Sequence, residues 1–298
     1  MKDVSAISSY NAILGEMRAY ADLLRIQGWN VESSGPGAKG PDFSITSQNG
    51  IKFVVEVFSY PPRPDNVILV DPPRTTYFND VQGNKCSITS SISVEDPFGF
   101  PDLSKAGDST TANAISKICA RKGSEYQFSD AEVSILYLDL QSVPISWTMI
   151  EQLDPILKSN DTITSGGVWM AYYGRKGYPI FENASPWNHR PQKCVLMGHD
   201  GHFYQSQGSK LSAVIVATGY DEHDGSACRL GVLENEQRPL PDAIRKDLMR
   251  SNLFDVHSRC LSKTSLVRKL KEDRNEIYRA AIDVLGEDRA SALAALLS

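Results

Sequence analysis

Apolar residues near the start of the chain recur at three- and four-residue intervals. Ile13, Leu14, Met17, Ala21 and Leu24 predict a helix over 4–27, closed by Gly28. A short strand is expected at 29–32. The Gly- and Pro-rich loop SSGPGAKGP follows at 33–41. Two strands are predicted at 42–46 and 52–59, separated by the turn-forming Ser47-Gln48-Asn49-Gly50. Residues 60–110 are rich in Pro, Ser, Asp and Gly, with one apolar run at 67–70, and read as a long insertion with little regular structure. A helix is expected over 111–127, with Ile115, Ile118, Cys119 and Lys122 on one stripe. The run VSILYLDL at 133–140 is the most strand-like in the chain. Further strands are predicted at 168–173, 194–197, 211–218 and 228–233, and helices at 241–254 and 264–297.

Helix, strands, helix, strands and terminal helices in that order predict a mixed α/β layer architecture. The expected division is an α/β unit over 1–235 and a helical region over 236–298. A chain of 298 residues that is 41% hydrophobic and 22% charged can bury a sizeable core. No run approaches the roughly 20 apolar residues of a membrane span, and the N-terminus lacks an apolar leader-type run. A cytoplasmic protein with no membrane partner is therefore expected. Cys86, Cys119, Cys194, Cys228 and Cys260 are scattered and form no CxxC pair. That argues against a disulfide framework or a cysteine zinc site.

The net charge of −5 lends no support to nucleic-acid binding, although a local basic patch can coexist with an acidic whole. Bases are denser over 245–279, with acids interleaved. A solvated helical surface and a phosphate-binding face both remain open there. No GxxxxGK[ST], GxGxxG or GxSxG occurs, which removes the main support for NTPase, Rossmann dehydrogenase and α/β-hydrolase readings.

Three acids stand out by position. Glu16 lies in the first helix, Asp42 opens a strand directly after Pro41, and Glu56 sits inside the apolar run FVVEVF. An ionised carboxylate inside such a strand is costly without a partner or a metal. Metal-assisted phosphodiester hydrolysis supplies a reason, because carboxylates on adjacent strands can hold a hard cation that activates water.

GPDF at 40–43, thirteen intervening residues and VEV at 55–57, preceded by a helix carrying Glu16, resemble the PD-(D/E)xK (restriction-endonuclease-like) nuclease superfamily. The resemblance covers about residues 5–140 with 60–110 set aside, since the family core runs helix, three strands, helix, strand. It implies a restriction-endonuclease-like mixed sheet flanked by helices, with additional strands over 165–235. It implies Mg²⁺ or Mn²⁺ held by Asp42, Glu56 and the Val57 carbonyl, with Glu16 as the helix-borne acid of the same site. The implied activity is cleavage of DNA or RNA, in a setting such as bacterial self/non-self defence, with a homodimer or protein partner open.

One position departs from the pattern. The family carries Lys two residues after the second acid, where this chain has Phe58 on the same strand face as Glu56. Either another lysine serves, or hydrolysis is lost. Lys122 continues the apolar stripe of its helix and is the expected replacement. Lys39 lies in the loop before Asp42, and Lys52 stands about 13 Å along the strand from Glu56. The alternative function is a catalytically inactive module that binds nucleic acid or a protein; reuse of the cleft for a small nucleotide is a third. Elsewhere, His199 and His202 flank the hairpin dipeptide Asp200-Gly201 and read as a turn. Asp221–Gly225 reads as a polar hairpin loop. The aromatics at 169–173 read as core.

Overall fold

The computed structural model describes residues 4–35, 40–59, 67–69, 74–79, 85–90, 93–95, 115, 118, 128, 133–141, 153, 155–159, 162–182, 193–205, 209–217, 230–251 and 253–254. Helix α1 spans Val4–Leu24. Its buried face is Gly15, Ala19 and Leu23, continued by Ile26. The stripe that stands out in the sequence points the other way. Ile13, Met17 and Leu24 are exposed, as are Tyr10 and Tyr20. Small residues on the inner face let the helix backbone lie close to the sheet. A Cβ on Gly15 would fall 1.6 Å from Ser59 Oγ.

Strands β1 (Asn30–Ser33), β2 (Phe43–Thr46) and β3 (Lys52–Ser59) form an antiparallel meander, with Ser33 opposite Phe43 and Phe43 opposite Val55. The turn before β3 needs a left-handed residue, and Gly50 supplies it at φ 76°. Four strands then form in the segment expected to lack regular structure: β4 (Val67–Leu69), β5 (Arg74–Asn79), β6 (Lys85–Ser90) and β7 (Ser93–Glu95). Strand β4 pairs with β7 and β5 with β6, both antiparallel. The Pro- and Ser-rich composition hid them, because strand pairing depends on neighbours as well as on composition.

Strand β8 (Val133–Asp139) lies parallel to β3, with Val55 opposite Ile135 and Glu56 opposite Leu136. A parallel pair needs a crossover. The helical Ile115 and Ile118, both buried, precede it in the chain. Next come the antiparallel pair β9 (Ile156–Ser159) and β10 (Thr162–Ser165), helix α2 (Gly167–Tyr173), and the antiparallel pair β11 (Pro179–Glu182) and β12 (Lys193–Leu196). Helix α2 replaces the strand expected at 168–173. All seven of its residues are buried, so it shows no polar face by which its period could be read. Asp200-Gly201 is not a hairpin tip; it leads into a single 3₁₀ turn, His202–Tyr204.

Strand β13 (Ala213–Ala217) adds parallel to β8, and β14 (Leu230–Glu234) adds antiparallel at the edge. The result is a six-stranded mixed sheet in the order β1-β2-β3-β8-β13-β14. Strand β8 is covered on both sides, which explains its unbroken apolar run. One face packs Leu136, Leu138 and Val214 with Ile115, Ile118 and α2. The other packs Phe53, Val55, Ile135 and Ile215 with α1 and helix α3 (Asp242–Arg250). Arg245 ties α3 to the buried Glu234, and the Trp29 indole donates to Asp247 over 3.1 Å. The architecture is mixed α/β, a six-strand sheet flanked by helices. Among the described residues no helix is long and apolar enough to cross a membrane. The helix expected at 264–297, and most of that at 111–127, lie outside the described residues.

The Gly15–Ser59 approach makes α1 sensitive to one methyl group. Gly15→Ala is expected to lower stability by about 1–3 kcal/mol in urea denaturation. Ser59→Ala in the same chain should restore only part of it, because Ser59 Cβ still lies 2.9 Å from the new methyl.

Candidate active site

The register that pairs Phe43 with Val55 places Asp42 across from Glu56 when continued one step, on the same face of the sheet. One step further it places Pro41 across from Val57. Proline has no N–H, so the backbone ladder ends there. The Asp42 side chain takes over, and its Oδ2 accepts the Val57 N–H over 2.7 Å. In a strand the N–H and C=O of one residue point to the same side. The Val57 carbonyl is thus directed toward Asp42, with no proline N–H to receive. The Asp42 backbone in turn acts to lower the Glu56 pKa, against the larger effect of burial.

Glu56 points between its own-face neighbours Val54 and Phe58, both packed on the core that contains Leu136. It is buried at 8% exposure, and its Oε2 has no hydrogen-bond partner among the described residues. Burial raises its pKa to about 8, with the charge of Asp42 and then that of Glu16 adding, and the Asp42 backbone acting against them. Burial also raises Asp42, with the Val57 N–H acting against it. Glu16 is raised by partial burial and then by the charge of Asp42. Glu16, Asp42 and Glu56 therefore act on one another electrostatically, although they come from α1, the approach to β2, and β3. Glu16 is at the exposed rim and Glu56 at the floor.

Among the described residues, no three His, Cys, Asp or Glu side chains form a ready-made metal cage. The donor set still suits a hard divalent cation: one buried carboxylate oxygen has no partner among the described residues, a second acid and a carbonyl are on the paired strand positions, and a third acid is at the rim. Phe58 stands where the resemblance places lysine, and its ring packs on the core. Lys52 is exposed at the far end of β3. Lys122 and Lys39 lie outside the described residues. His199 is half-buried, with its ring beside the Asp200 carbonyl, and the buried His202 ring packs edge-on against Tyr172.

Sequence reasoning missed the residues that hold Glu16 in place. Arg18 Nη1 reaches Asp139 Oδ2 over 3.1 Å, and Ser59 Oγ donates to the same oxygen over 3.3 Å. One turn on, Asp22 accepts the Tyr137 hydroxyl over 2.6 Å. These bonds fix the rotation of α1 over the ends of β3 and β8. Their signal was an acid closing the apolar run VSILYLD. Compared with family models, with curated proteins and with solved structures, the chain matches none. The chemistry therefore rests on the residues themselves.

Glu16, Asp42 and Glu56 all have folded-state pKa values above their unfolded ones, so folding retains protons at these groups. The contribution of Glu56 to stability is complete below the ordinary glutamate value of 4.5 and is lost as pH rises through about 8, and Glu16 and Asp42 act in the same direction. In chelator, the unfolding free energy should fall over that window, by at most about 1.4 kcal/mol per pH unit for each group. Glu56→Gln should flatten the profile; an equal slope in the variant would place the titrating group elsewhere.

Proposed function

We propose that the chain is a divalent-metal-dependent nuclease of the PD-(D/E)xK type, hydrolysing phosphodiester bonds in DNA or RNA. One observation carries the reading: two acids from other elements, Asp42 and Glu16, act on Glu56, whose buried Oε2 has no hydrogen-bond partner among the described residues. A fold that holds such a cluster offsets its cost when a cation is bound. Asp42, Glu56 and the Val57 carbonyl are the residues that would hold Mg²⁺ or Mn²⁺, with Glu16 completing the set from the rim. Such an ion supplies Lewis acidity and an activated water.

The chain's own part is positioning. The Val57 N–H orients Asp42, and the Arg18–Asp139 pair sets the turn of α1 that carries Glu16. Glu16, solvent-exposed, is placed to orient a water beside the phosphate. With β4 to β7 set aside as an insertion, the order helix, three strands, helical backbone at Ile115 and Ile118, then strand β8 supports a restriction-endonuclease-like core. Lys122 follows Ile118 by four residues and is our choice for the missing ammonium.

A second reading is favoured by a specific observation. Phe58 belongs to the core packing, so the usual lysine position is filled by apolar structure. On that reading the chain is an inactive module of the same fold that binds nucleic acid or a protein partner.

Mn²⁺ titration followed by calorimetry separates these readings from no cation site at all. Binding is expected to tighten by up to about tenfold per pH unit between pH 6 and 8 as Glu56 ionises. Asp42→Ala should abolish it. Cleavage of DNA or RNA in Mn²⁺ should vanish in Asp42→Ala and fall strongly in Lys122→Ala. Binding without cleavage under any metal selects the inactive module. A wild-type chain that binds no Mn²⁺ at any pH overturns the metal site.

A further inference from the structure

Helix α1 is apolar on two opposite faces. The inner face is Gly15, Ala19 and Leu23, against the sheet. The outer face is Tyr10, Ile13, Met17, Tyr20 and Leu24, at exposures of 62, 56, 63, 39 and 48%. A helix with apolar residues on both sides is normally covered on both. The outer spacing is three, four, three, four. Tyr10, Met17 and Leu24 form one seven-residue series, and Ile13 and Tyr20 fall between them as the second. That is the alternation by which two helices interlock side chains along a seam. Single exposed apolar residues are ordinary on a protein surface; five in register along one 21-residue helix are not.

We propose that this stripe is a homodimer interface, in which α1 of one copy packs against α1 of a second. Three considerations select that occupant. A seam with both series present on one helix is self-complementary, so an identical helix meets its spacing without a second sequence. The exposed parts of five large side chains come to roughly 500 Å² per copy, hence about 1,000 Å² in a two-fold pair, the lower limit for a specific interface. A lipid surface is disfavoured by charge: the described charges on α1 are Glu16, Arg18 and Asp22, the last two are engaged by Asp139 and Tyr137, and the whole chain carries −5. An interface of this size gives a reversible, concentration-dependent dimer. The inference does not depend on what the carboxylates do. It does set the two sites close together, because Glu16 adjoins Met17 and Tyr20 stacks on Phe43, the residue after Asp42.

Sedimentation velocity on the full chain tests it, from about 1 µM to several hundred µM, the range in which a minimal interface dissociates. The wild type is expected to shift from monomer to dimer across that range. Ile13→Glu with Met17→Glu should remain monomeric throughout, with an unchanged circular dichroism spectrum and melting temperature, since both side chains are exposed. The milder Tyr10→Ser with Leu24→Gln should weaken association by at least tenfold, and serves if the charged pair disturbs folding. A wild type that stays monomeric at every concentration overturns the proposal. So does a dimer that survives both variants, which would place the interface on another surface.

Discussion

A carboxylate packed between apolar neighbours in the middle of a sheet loses most of its water, and Glu56, 8% exposed, is such a group. Taking it from water costs several kcal/mol if it stays charged, so its proton becomes part of the fold. The neighbouring backbone is arranged around that constraint. Pro41 ends the ladder one step early, and Asp42 turns inward to take the Val57 N–H. Asp42 cannot be displaced without breaking that backbone contact.

The third acid is held by different means. Glu16 has no strand to fix it and depends on how α1 sits on the sheet. That seat is made by absence of bulk at Gly15 and by the pair Arg18–Asp139, whose aspartate is fully buried. The charge on Asp139 is met by a guanidinium and a hydroxyl, whereas the described charges acting on Glu56 are those of two other acids. Two buried acids on neighbouring strands thus have opposite surroundings. Asp139 is paired and serves the architecture; Glu56 faces like charge.

How far this could be read in the sequence varied with the local physics. The meander and β8 were visible because strand alternation and a double-sided apolar run are properties of the segment itself. Strand β3 was predicted at 52–59 and lies there. Helix α2 was misread as a strand because burial on all sides erases the period that distinguishes the two. The strands β4 to β7 were invisible, since pairing between weakly apolar segments is decided by partners far along the chain. Glu16, Asp42 and Glu56 could be named from position alone, and they do lie in one electrostatic neighbourhood. Arg18 and Asp139 could not, because their meaning comes from a contact 121 residues apart in the chain. The stripe on α1 was recognised as periodic but assigned no direction; periodicity says that two faces differ, and only packing says which is inside.

Phe58 carries a consequence for the charge balance of its sheet face. The ring lies on the same face as Glu56 and packs against the core. A lysine at that position would give up core contacts as well as add a charge. A cation for this face is therefore supplied at lower cost from another element, or from solution, than from the strand that carries Glu56.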